Sequence, residues 1–213
     1  MLRLLEASPS DAKNNLELDR SLFQSLEAGE EAQTLRMWES PVPVVVLGRS
    51  GVIARDVVED ACAADGVAIL RRDSGGDAVL LGRGCVNYSL FLSLGRHPEL
   101  RDVRASYRLI LGCLIRALAI PGLEVLGLSD LAIGGRKVSG NAQRRGCRAL
   151  LHHGTLLYAF DPELTEKYLR EPLRQPDYRQ GRRHGEFLGN VPLSAGQIRE
   201  RIALTSHLLS PNG

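Results

Sequence analysis

The chain is poor in lysine, in paired cysteines and in long apolar runs. Three of its 27 basic residues are lysines. Its cysteines form no CxxC pair and have no histidine at zinc-finger spacing, so we expect reduced thiols and no metal site. The apolar run at residues 42–47 is far too short to cross a bilayer, and the N-terminus reaches an acidic residue before any long apolar stretch. We therefore expect a cytoplasmic protein with no membrane partner.

Composition and length restrict the class of protein and the number of domains. A formal charge of +2 in 213 residues, with 44% hydrophobic and 24% charged residues, is typical of an ordinary soluble globular protein. The arginine-rich residues 170–183 include one tyrosine and no aromatic series for base stacking, so we expect no nucleic-acid partner. The length suits a single domain over residues 1–213.

Apolar periodicity predicts a mixture of helices and strands. A helix is expected to start at Asp11 and end at Gly29. Further helices are predicted at residues 53–64, 100–120 and 164–169 and from Ser194 to Leu208, where Ser194 and Gln197 resemble a capping box. Strands are predicted at residues 34–38, 42–47, 67–70, 86–92, 131–133, 149–151 and 155–160, with the first two forming a hairpin or a tight connection.

Two segments look suited to ligand binding. The predicted strand at residues 67–70 leads into Arg71-Arg72-Asp73-Ser74-Gly75-Gly76, where glycine backbone can approach a ligand and arginine can bind an anion. The alternative is a plain glycine-rich turn with solvated arginines, and the segment is neither a Walker A nor a Rossmann motif. Residues 171–190 lack periodicity, and an irregular loop of this length is a candidate lid or binding segment.

Lys137 is the main candidate for chemistry. It lies in a glycine- and serine-rich segment that we predict to be a turn, where the planar fork of arginine would not substitute for a compact ammonium. Asp130 supplies an acceptor nearby, and Ser139-Gly140-Asn141 supplies a nest for the ribose, phosphoryl and acyl oxygens of an adenylate. Lys137 would neutralise charge that develops on those oxygens. The alternative is a β-turn with an exposed lysine.

Histidine, cysteine and tryptophan give weaker indications. His152 and His153 are expected to point to opposite faces of a strand, so that at most one shares a site with Lys137. Cys85 and Cys147 are either activated thiols or inert cysteines, and no adjacent base decides between these. Trp38 lines an apolar acyl pocket or belongs to the core.

Several short segments, taken in order and spacing, resemble the lipoate-protein ligase family within the wider group of biotin ligases and lipoyl or octanoyl transferases. These segments are Leu35-Arg36-Met37-Trp38-Glu39, residues 44–49, Arg71 to Gly76, Asn87-Tyr88-Ser89, Asp130-Leu131-Ala132, Gly135 to Gln143 and His153-Gly154-Thr155-Leu156-Leu157. The resemblance implies an α+β fold with a mixed, largely antiparallel sheet flanked by helices, as in class II synthetases and biotin ligases. It also implies a catalytic domain, and we expect no accessory C-terminal domain.

The resemblance assigns roles to individual residues. It implies that the loop of Arg72, Ser74 and Gly75 holds the acyl substrate, that Asp130 and Lys137 contact the adenylate or thioester carbonyl, and that His153 borders the pocket. Together with the residues considered above, this makes Lys137 the catalytic candidate and gives two sets of site residues. The acyl-binding set is Trp38, Arg71, Arg72, Ser74, Gly75, Gly76, Asn87 and His153, and the nucleotide-binding set is Asp130, Lys137, Ser139, Gly140 and Asn141. The chain departs from the family pattern at Asp77, which replaces a glycine, and at Leu81-Gly82, which replaces a His-Asp pair.

The resemblance implies that lipoate, or a related medium-chain acyl group, is joined to a lysine of a carrier domain through an acyl-adenylate. The substrates would be ATP with Mg²⁺ and lipoate or lipoyl-AMP, and a separate accessory ligase subunit is a possible partner. One alternative is a lipoyl or octanoyl transferase that uses a ready-made donor, although Gly127-Leu128-Ser129 stands where a cysteine-dependent transferase would carry its nucleophile. Another is a non-catalytic protein that binds acyl groups or nucleotides.

Overall fold

The fold is an α+β domain built around one large sheet and one small one. The computed structural model describes residues 2–5, 8–30 and 32–205. The strands are β1 Arg3–Leu5, β2 Thr34–Trp38, β3 Val44–Leu47, β4 Ala68–Arg71, β5 Val79–Leu81, β6 Cys85–Ser93, β7 Leu123–Leu126, β8 Asp130–Ile133, β9 Arg136–Arg145 and β10 Ala149–Leu157. The helices are α1 Ala12–Ala28, α2 Ile53–Asp56, α3 Glu59–Asp65, α4 Val103–Leu118, α5 Pro162–Tyr168, α6 His184–Phe187 and α7 Ala195–Ala203.

The large sheet has seven strands in the order β1-β2-β6-β10-β9-β8-β7. Its first pair is parallel and the others are antiparallel. The small sheet has the order β4-β3-β5, with one parallel and one antiparallel pair. The expected mixed, largely antiparallel sheet flanked by helices is therefore confirmed. None of the helices in the described parts of the chain is long and apolar enough to cross a membrane.

Helices cover both faces of the large sheet. Ile110, Leu111 and Leu114 of α4 are fully buried against one face, in a cluster that includes Leu90 and Leu150 of the sheet. The other face, which carries the intervening strand residues, packs against α1 through Leu22, Phe23 and Leu26. Alternation along β6 and β10 thus separates two cores. Each buried aliphatic side chain stabilises the fold by roughly 1.5–3 kcal/mol relative to exposure.

The structure corrects several predictions of local structure. Strands β2 and β3 belong to different sheets, so residues 34–47 do not form a hairpin. The helix predicted at residues 53–64 is divided because Val57 bridges to Leu169 and the N–H of Val58 donates to the carbonyl of Tyr168. The two strands predicted at 149–151 and 155–160 are the single strand β10. Tertiary pairing overrides local propensity in each case.

The ends of the remaining predicted helices also shift. The long helix begins at Val103, where Asp102 caps it by accepting from the N–H of Ala105 at 2.7 Å, and residues 98–101 form a short 3₁₀ turn instead. The capping box at Ser194 is confirmed. The last part of the predicted C-terminal helix, residues 206–208, lies outside the described residues.

Glu27 near the end of α1 joins this helix to the β9–β10 turn. Its carboxylate accepts three backbone N–H groups, from Cys147 at 2.7 Å, Arg148 at 3.0 Å and Ala149 at 2.8 Å. Partial burial opposes ionisation of Glu27, but these three donors outweigh it and lower the pKa of the carboxyl group. A Cβ at position 146 would lie 2.2 Å from a Glu27 oxygen, which explains Gly146. The carboxylate of Glu27 therefore holds the backbone of the turn between β9 and β10.

Replacing Glu27 by Ala is expected to lower the free energy of unfolding by about 1–2 kcal/mol, because three backbone N–H donors of the β9–β10 turn lose a charged acceptor. The folded pKa of Glu27 is lowered, so this stabilisation is present above the unfolded pKa and disappears as pH falls through the folded pKa. Urea unfolding at neutral and acidic pH measures the difference. Glu30→Ala, which removes an exposed carboxylate close by, is the control; equal effects of the two substitutions would contradict the interpretation.

Candidate functional site

A cavity of about 360 Å³ opens on the α1 side of the large sheet and is the candidate site. Its walls come from α1, both sheets, the 72–79 loop and the turn before β8. Nine of the predicted site residues line it, namely Trp38, Arg72, Gly76, Asn87, Asp130, Lys137, Gly140, Asn141 and His153. A smaller cavity of about 130 Å³ adjoins it and shares Asp130, Lys137, Gly140 and Thr155. Ser139 lines this second cavity.

Lys137 lies on strand β9, so the prediction that it occupies a turn is wrong. The turn is formed by Gly134 and Gly135, both of which have positive φ. Lys137 pairs across the ladder with Ala132, yet its ammonium reaches Asp130, the ladder partner of Gly140. The lysine side chain must therefore run along the strand over position 140, where a Cβ would come within 2.9 Å of its Cε. A side chain at position 140 would force the end of the lysine side chain to shift.

Asp130 holds Lys137 at the boundary between the two cavities. Its Oδ1 lies 2.8 Å from the ammonium of Lys137, and its Oδ2 accepts a hydrogen bond of 2.7 Å from the hydroxyl of Tyr178. Burial, together with the neighbouring carboxylate, raises the pKa of Tyr178, so the phenol stays a donor. Tyr178 comes from residues 171–190, which contain a 3₁₀ turn at 177–179 and α6. Part of this segment thus lies against the site.

Arg72 is built into the 72–77 loop. Its guanidinium donates to Ser74 Oγ at 3.0 Å and to the carbonyls of Val46, Gly75 and Asp77. A guanidinium has five N–H donors, and these contacts use four of them. Burial lowers the pKa of Arg72 to about 10, and the side chain stays charged at neutral pH. Within the described residues it has no carboxylate as an ion-pair partner, so the cavity wall carries a positive charge suited to an anion.

His153 faces the cavity and His152 does not, which confirms the prediction of opposite faces. His153 Nε2 lies 2.6 Å from Ser74 Oγ. His152 is fully buried beside Tyr88 and Gln143. Burial lowers the pKa of both imidazoles to about 3, and the nearby charge of Arg72 contributes for His153. The ring of His153 is therefore a neutral hydrogen-bonding group.

Three predicted site residues line neither of these two cavities. Arg71 donates to the carbonyls of Gly48, Arg49 and Gly51 and so binds a neighbouring loop. Ser74 is buried behind Arg72 and His153. Gly75 offers its carbonyl to Arg72. These residues shape the loop that presents Arg72, and the structure does not place them in the cavity wall.

Sequence reasoning missed several lining residues. Asp19 and Leu16 come from α1, and Thr155 follows His153 by two positions on β10. Asp19 belongs to a buried network, in which it lies 2.5 Å from a guanidinium nitrogen of Arg36 and accepts from Ser89 Oγ at 2.7 Å. Period-two alternation from His153 predicts Thr155. A buried acidic residue on a helix offers no comparable signal in the sequence.

The described cysteines do not supply a nucleophile in this cavity. Cys62, Cys85 and Cys113 are buried, and burial raises the pKa of each thiol, most strongly for Cys85. Cys147 is exposed in the turn between β9 and β10 and lines neither cavity. Inert cysteine is therefore the better interpretation of Cys85. No group of three His, Cys, Asp or Glu side chains in the described chain is arranged to hold a metal ion.

Comparison with known proteins now identifies the family. The family model for the lipoyl protein ligase A/B catalytic domain matches residues 11–184, and the chain belongs to this family. Lipoate-protein ligase A of Psychrobacter cryohalolentis is 31% identical over 174 residues, which are 81% of this chain and 49% of that protein. An octanoyltransferase LipM of Kyrpidia tusciae is 29% identical over 231 aligned positions, covering 94% of this chain and 84% of the relative.

The chain spans about half the length of the ligase A relatives, 58% for one from Aeropyrum pernix at 32% identity. Solved structures show the same fold. A bi-partite lipoate protein ligase of Thermoplasma acidophilum, studied with its E2 lipoyl domain, has a TM-score of 0.79 and 24% identity, covering 96% of this chain and 81% of that one. A lipoate-protein ligase A bound with ATP also has a TM-score of 0.79 and 24% identity, covering 97% and 85%.

His152 and His153 are expected to stay neutral down to about pH 4, because burial lowers both pKa values to about 3. Their folded pKa values lie below the unfolded value of 6.5, so protonation favours the unfolded state and stability falls as pH drops below about 6.5. Imidazole nitrogen shifts in NMR spectra measure this, with the urea-unfolded chain as the control. Titration of His153 near pH 6.5 in the folded protein would contradict the proposed burial.

Proposed function

We propose that this chain joins lipoate, or a related medium-chain acyl group, to a lysine of a carrier domain through an acyl-adenylate. The observation that carries the proposal is the position of Lys137, which lines both cavities and is the cation at their junction. An acyl-adenylate has the same division, with an acyl chain on one side of the phosphoryl group and a nucleoside on the other. Membership of the ligase and octanoyltransferase family supports this assignment.

The larger cavity suits the acyl chain. Its apolar wall includes Leu16, Trp38, Val46 and Leu81, which would remove an alkyl chain from water. Arg72 and the neutral His153 would lie near the carboxylate end, and Trp38 would serve as an acyl-contact residue. The 29% match to an octanoyltransferase supports an eight-carbon chain as one acceptable substrate.

The smaller cavity suits the nucleotide. Ser139, Gly140 and Asp130 border it together with Lys137, and the fold is shared with a ligase that binds ATP. In the first step a carboxylate oxygen of lipoate would attack the α-phosphorus of ATP and expel pyrophosphate. In the second, the carrier lysine amine would attack the acyl carbonyl, release AMP and lose a proton. Lys137 would stabilise the charge that develops on the phosphoryl and carbonyl oxygens in both steps.

Mg²⁺ would accompany ATP. Asp130 is the acidic residue nearest to Lys137, and both of its oxygens already have partners in Lys137 and Tyr178. The metal would be held chiefly by the phosphates, as is usual for this ion, and Asp77, which lines both cavities, is a second carboxylate within the site. The structural likeness to a bi-partite ligase characterised with its E2 lipoyl domain supports a lipoyl carrier as acceptor and a separate accessory subunit as partner.

A second candidate is direct transfer from a ready-made acyl donor. It is supported by the octanoyltransferase relative, which this chain matches over 84% of that protein's length. The buried Cys85 and the distant Cys147 argue against a thioester intermediate on this chain. Gly127-Leu128-Ser129, the stretch where the resemblance places a cysteine nucleophile, lines the main cavity and contains no cysteine.

Lys137→Ala is expected to reduce acylation of a lipoyl domain by about 10²–10³-fold, because a preorganised charge is lost at the reacting oxygens. Lipoate-dependent exchange of pyrophosphate into ATP should fall in parallel. Lys13→Ala, which removes an exposed lysine of α1, is the matched control. Full acylation by Lys137→Ala would show that the lysine is not the catalytic group.

The donor can be identified by mass spectrometry of a lipoyl domain after incubation with the chain. Lipoate with ATP and Mg²⁺, lipoyl-AMP, and octanoyl carrier protein are supplied in separate reactions. We expect mass gain with lipoyl-AMP, and with lipoate and ATP if no accessory subunit is required. Gain with octanoyl carrier protein alone would replace the ligase by the transferase, and binding of lipoyl-AMP without any gain would identify a non-catalytic binding protein.

A further inference from the structure

Asn141 lines the cavity, but its amide is occupied by the protein itself. Its Nδ2 donates to the carbonyl of Ser129 at 2.7 Å and to Ser139 Oγ at 3.2 Å, and its Oδ1 accepts from the hydroxyl of Tyr88. Both amide hydrogens and the amide oxygen therefore have partners. An asparagine whose amide hydrogens and oxygen are already hydrogen-bonded within the protein is poorly suited to contact a nucleotide directly.

Two neighbours fix which way the amide points. Tyr88 is fully buried, and burial raises the pKa of its phenol, so the hydroxyl keeps its proton and acts as the donor. Because the carbonyl of Ser129 can only accept, the NH₂ group of Asn141 must face Ser129, and the amide oxygen then faces the hydroxyl of Tyr88. Gly154, the ladder partner of Asn141 on β10, leaves the necessary space, since a Cβ there would lie 1.9 Å from the Asn141 oxygen.

The carbonyl that Asn141 binds belongs to the turn between β7 and β8. Gly127, Leu128 and Ser129 of this turn line the main cavity, and the next residue is Asp130. Gly127 has a positive φ of 63°, and a Cβ there would lie 3.8 Å from Pro176 and 3.9 Å from Tyr178. The turn thus lies beside the segment that carries Tyr178, and the observed link between them is the hydrogen bond that Tyr178 donates to Asp130.

We infer that Asn141 is a positioning residue. It fixes the turn at residues 127–130 next to Lys137, and through this turn it supports the 171–190 segment that carries Tyr178. The chain of contacts runs from Tyr88 through Asn141 to Ser129 and then to Asp130 and Tyr178. The role rests on the proposed function only where it concerns catalysis. The geometric part can be tested without any substrate.

The test compares Asn141→Ala, Tyr88→Phe and their double variant with the unchanged chain. Tyr158→Phe removes a hydroxyl that donates to Glu39 at 3.0 Å, outside both cavities, and serves as the matched control. Hydrogen exchange of the peptide covering residues 126–131 should speed up roughly 10-fold in Asn141→Ala and in Tyr88→Phe, because each breaks the same anchor. The double variant should add little beyond either single change.

Acylation kinetics provide the second readout. We expect the KM for the acyl donor to rise roughly 10-fold in both single variants, with kcat reduced less, since the wall is loosened while Lys137 stays. Unchanged exchange at residues 126–131 in Asn141→Ala would overturn the positioning role. So would loss of activity in Asn141→Ala with Tyr88→Phe unaffected, because that pattern indicates direct contact with substrate. If the unchanged chain transfers no acyl group, the exchange result still decides the role of Asn141.

Discussion

The carboxylate of Asp130 determines where the charge of Lys137 lies. The lysine is long and flexible, and a partly buried ammonium without a partner would be costly to keep out of water. One oxygen of Asp130 meets Lys137 and the other meets Tyr178. The position of the Lys137 ammonium therefore depends on the β8–β9 ladder, on Gly140 and on residues 171–190. A change in any of them moves the ammonium relative to both cavities.

The large sheet supplies the rigid part of this arrangement. Strands β6, β9 and β10 each contribute a short run to the cavity wall, at residues 87–89, 140–142 and 153–155, while Leu90, Val138 and Leu150 belong to the core on the α4 side. The small sheet and the 72–77 loop supply the opposing wall through Arg72. Sites that join a regular scaffold to loops in this way combine precise placement of some groups with adaptable contact from others.

Much of the site follows from local sequence. The pair of glycines after Arg72 and the alternation around His153 place those residues correctly, because turn chemistry and the period of a strand are local properties. The inward direction of Arg72 rather than Arg71 depends on β4 pairing with β3, which no short segment specifies. The same holds for Asp19 and Tyr178, which reach the cavity from distant parts of the chain. The hydrogen bonds of Asn141 with Tyr88 and Ser129 also depend on packing between residues that are distant in sequence.

Arg72 carries a charge that was separated from water when the chain folded. Three backbone carbonyls accept from it, and within the described residues no carboxylate forms an ion pair with it, although Asp77 lies close enough to act on its charge. An arriving anion therefore meets a cation that needs neither to shed its hydration shell nor to lose rotamer freedom. The free-energy cost of dehydrating and ordering this guanidinium is therefore incurred when the protein folds, and it lowers the stability of the protein instead of its affinity for the anion. A small bound carboxylate should accordingly stabilise the folded protein more than its few contacts suggest. Folding and ligand binding are then linked through the side chain of Arg72.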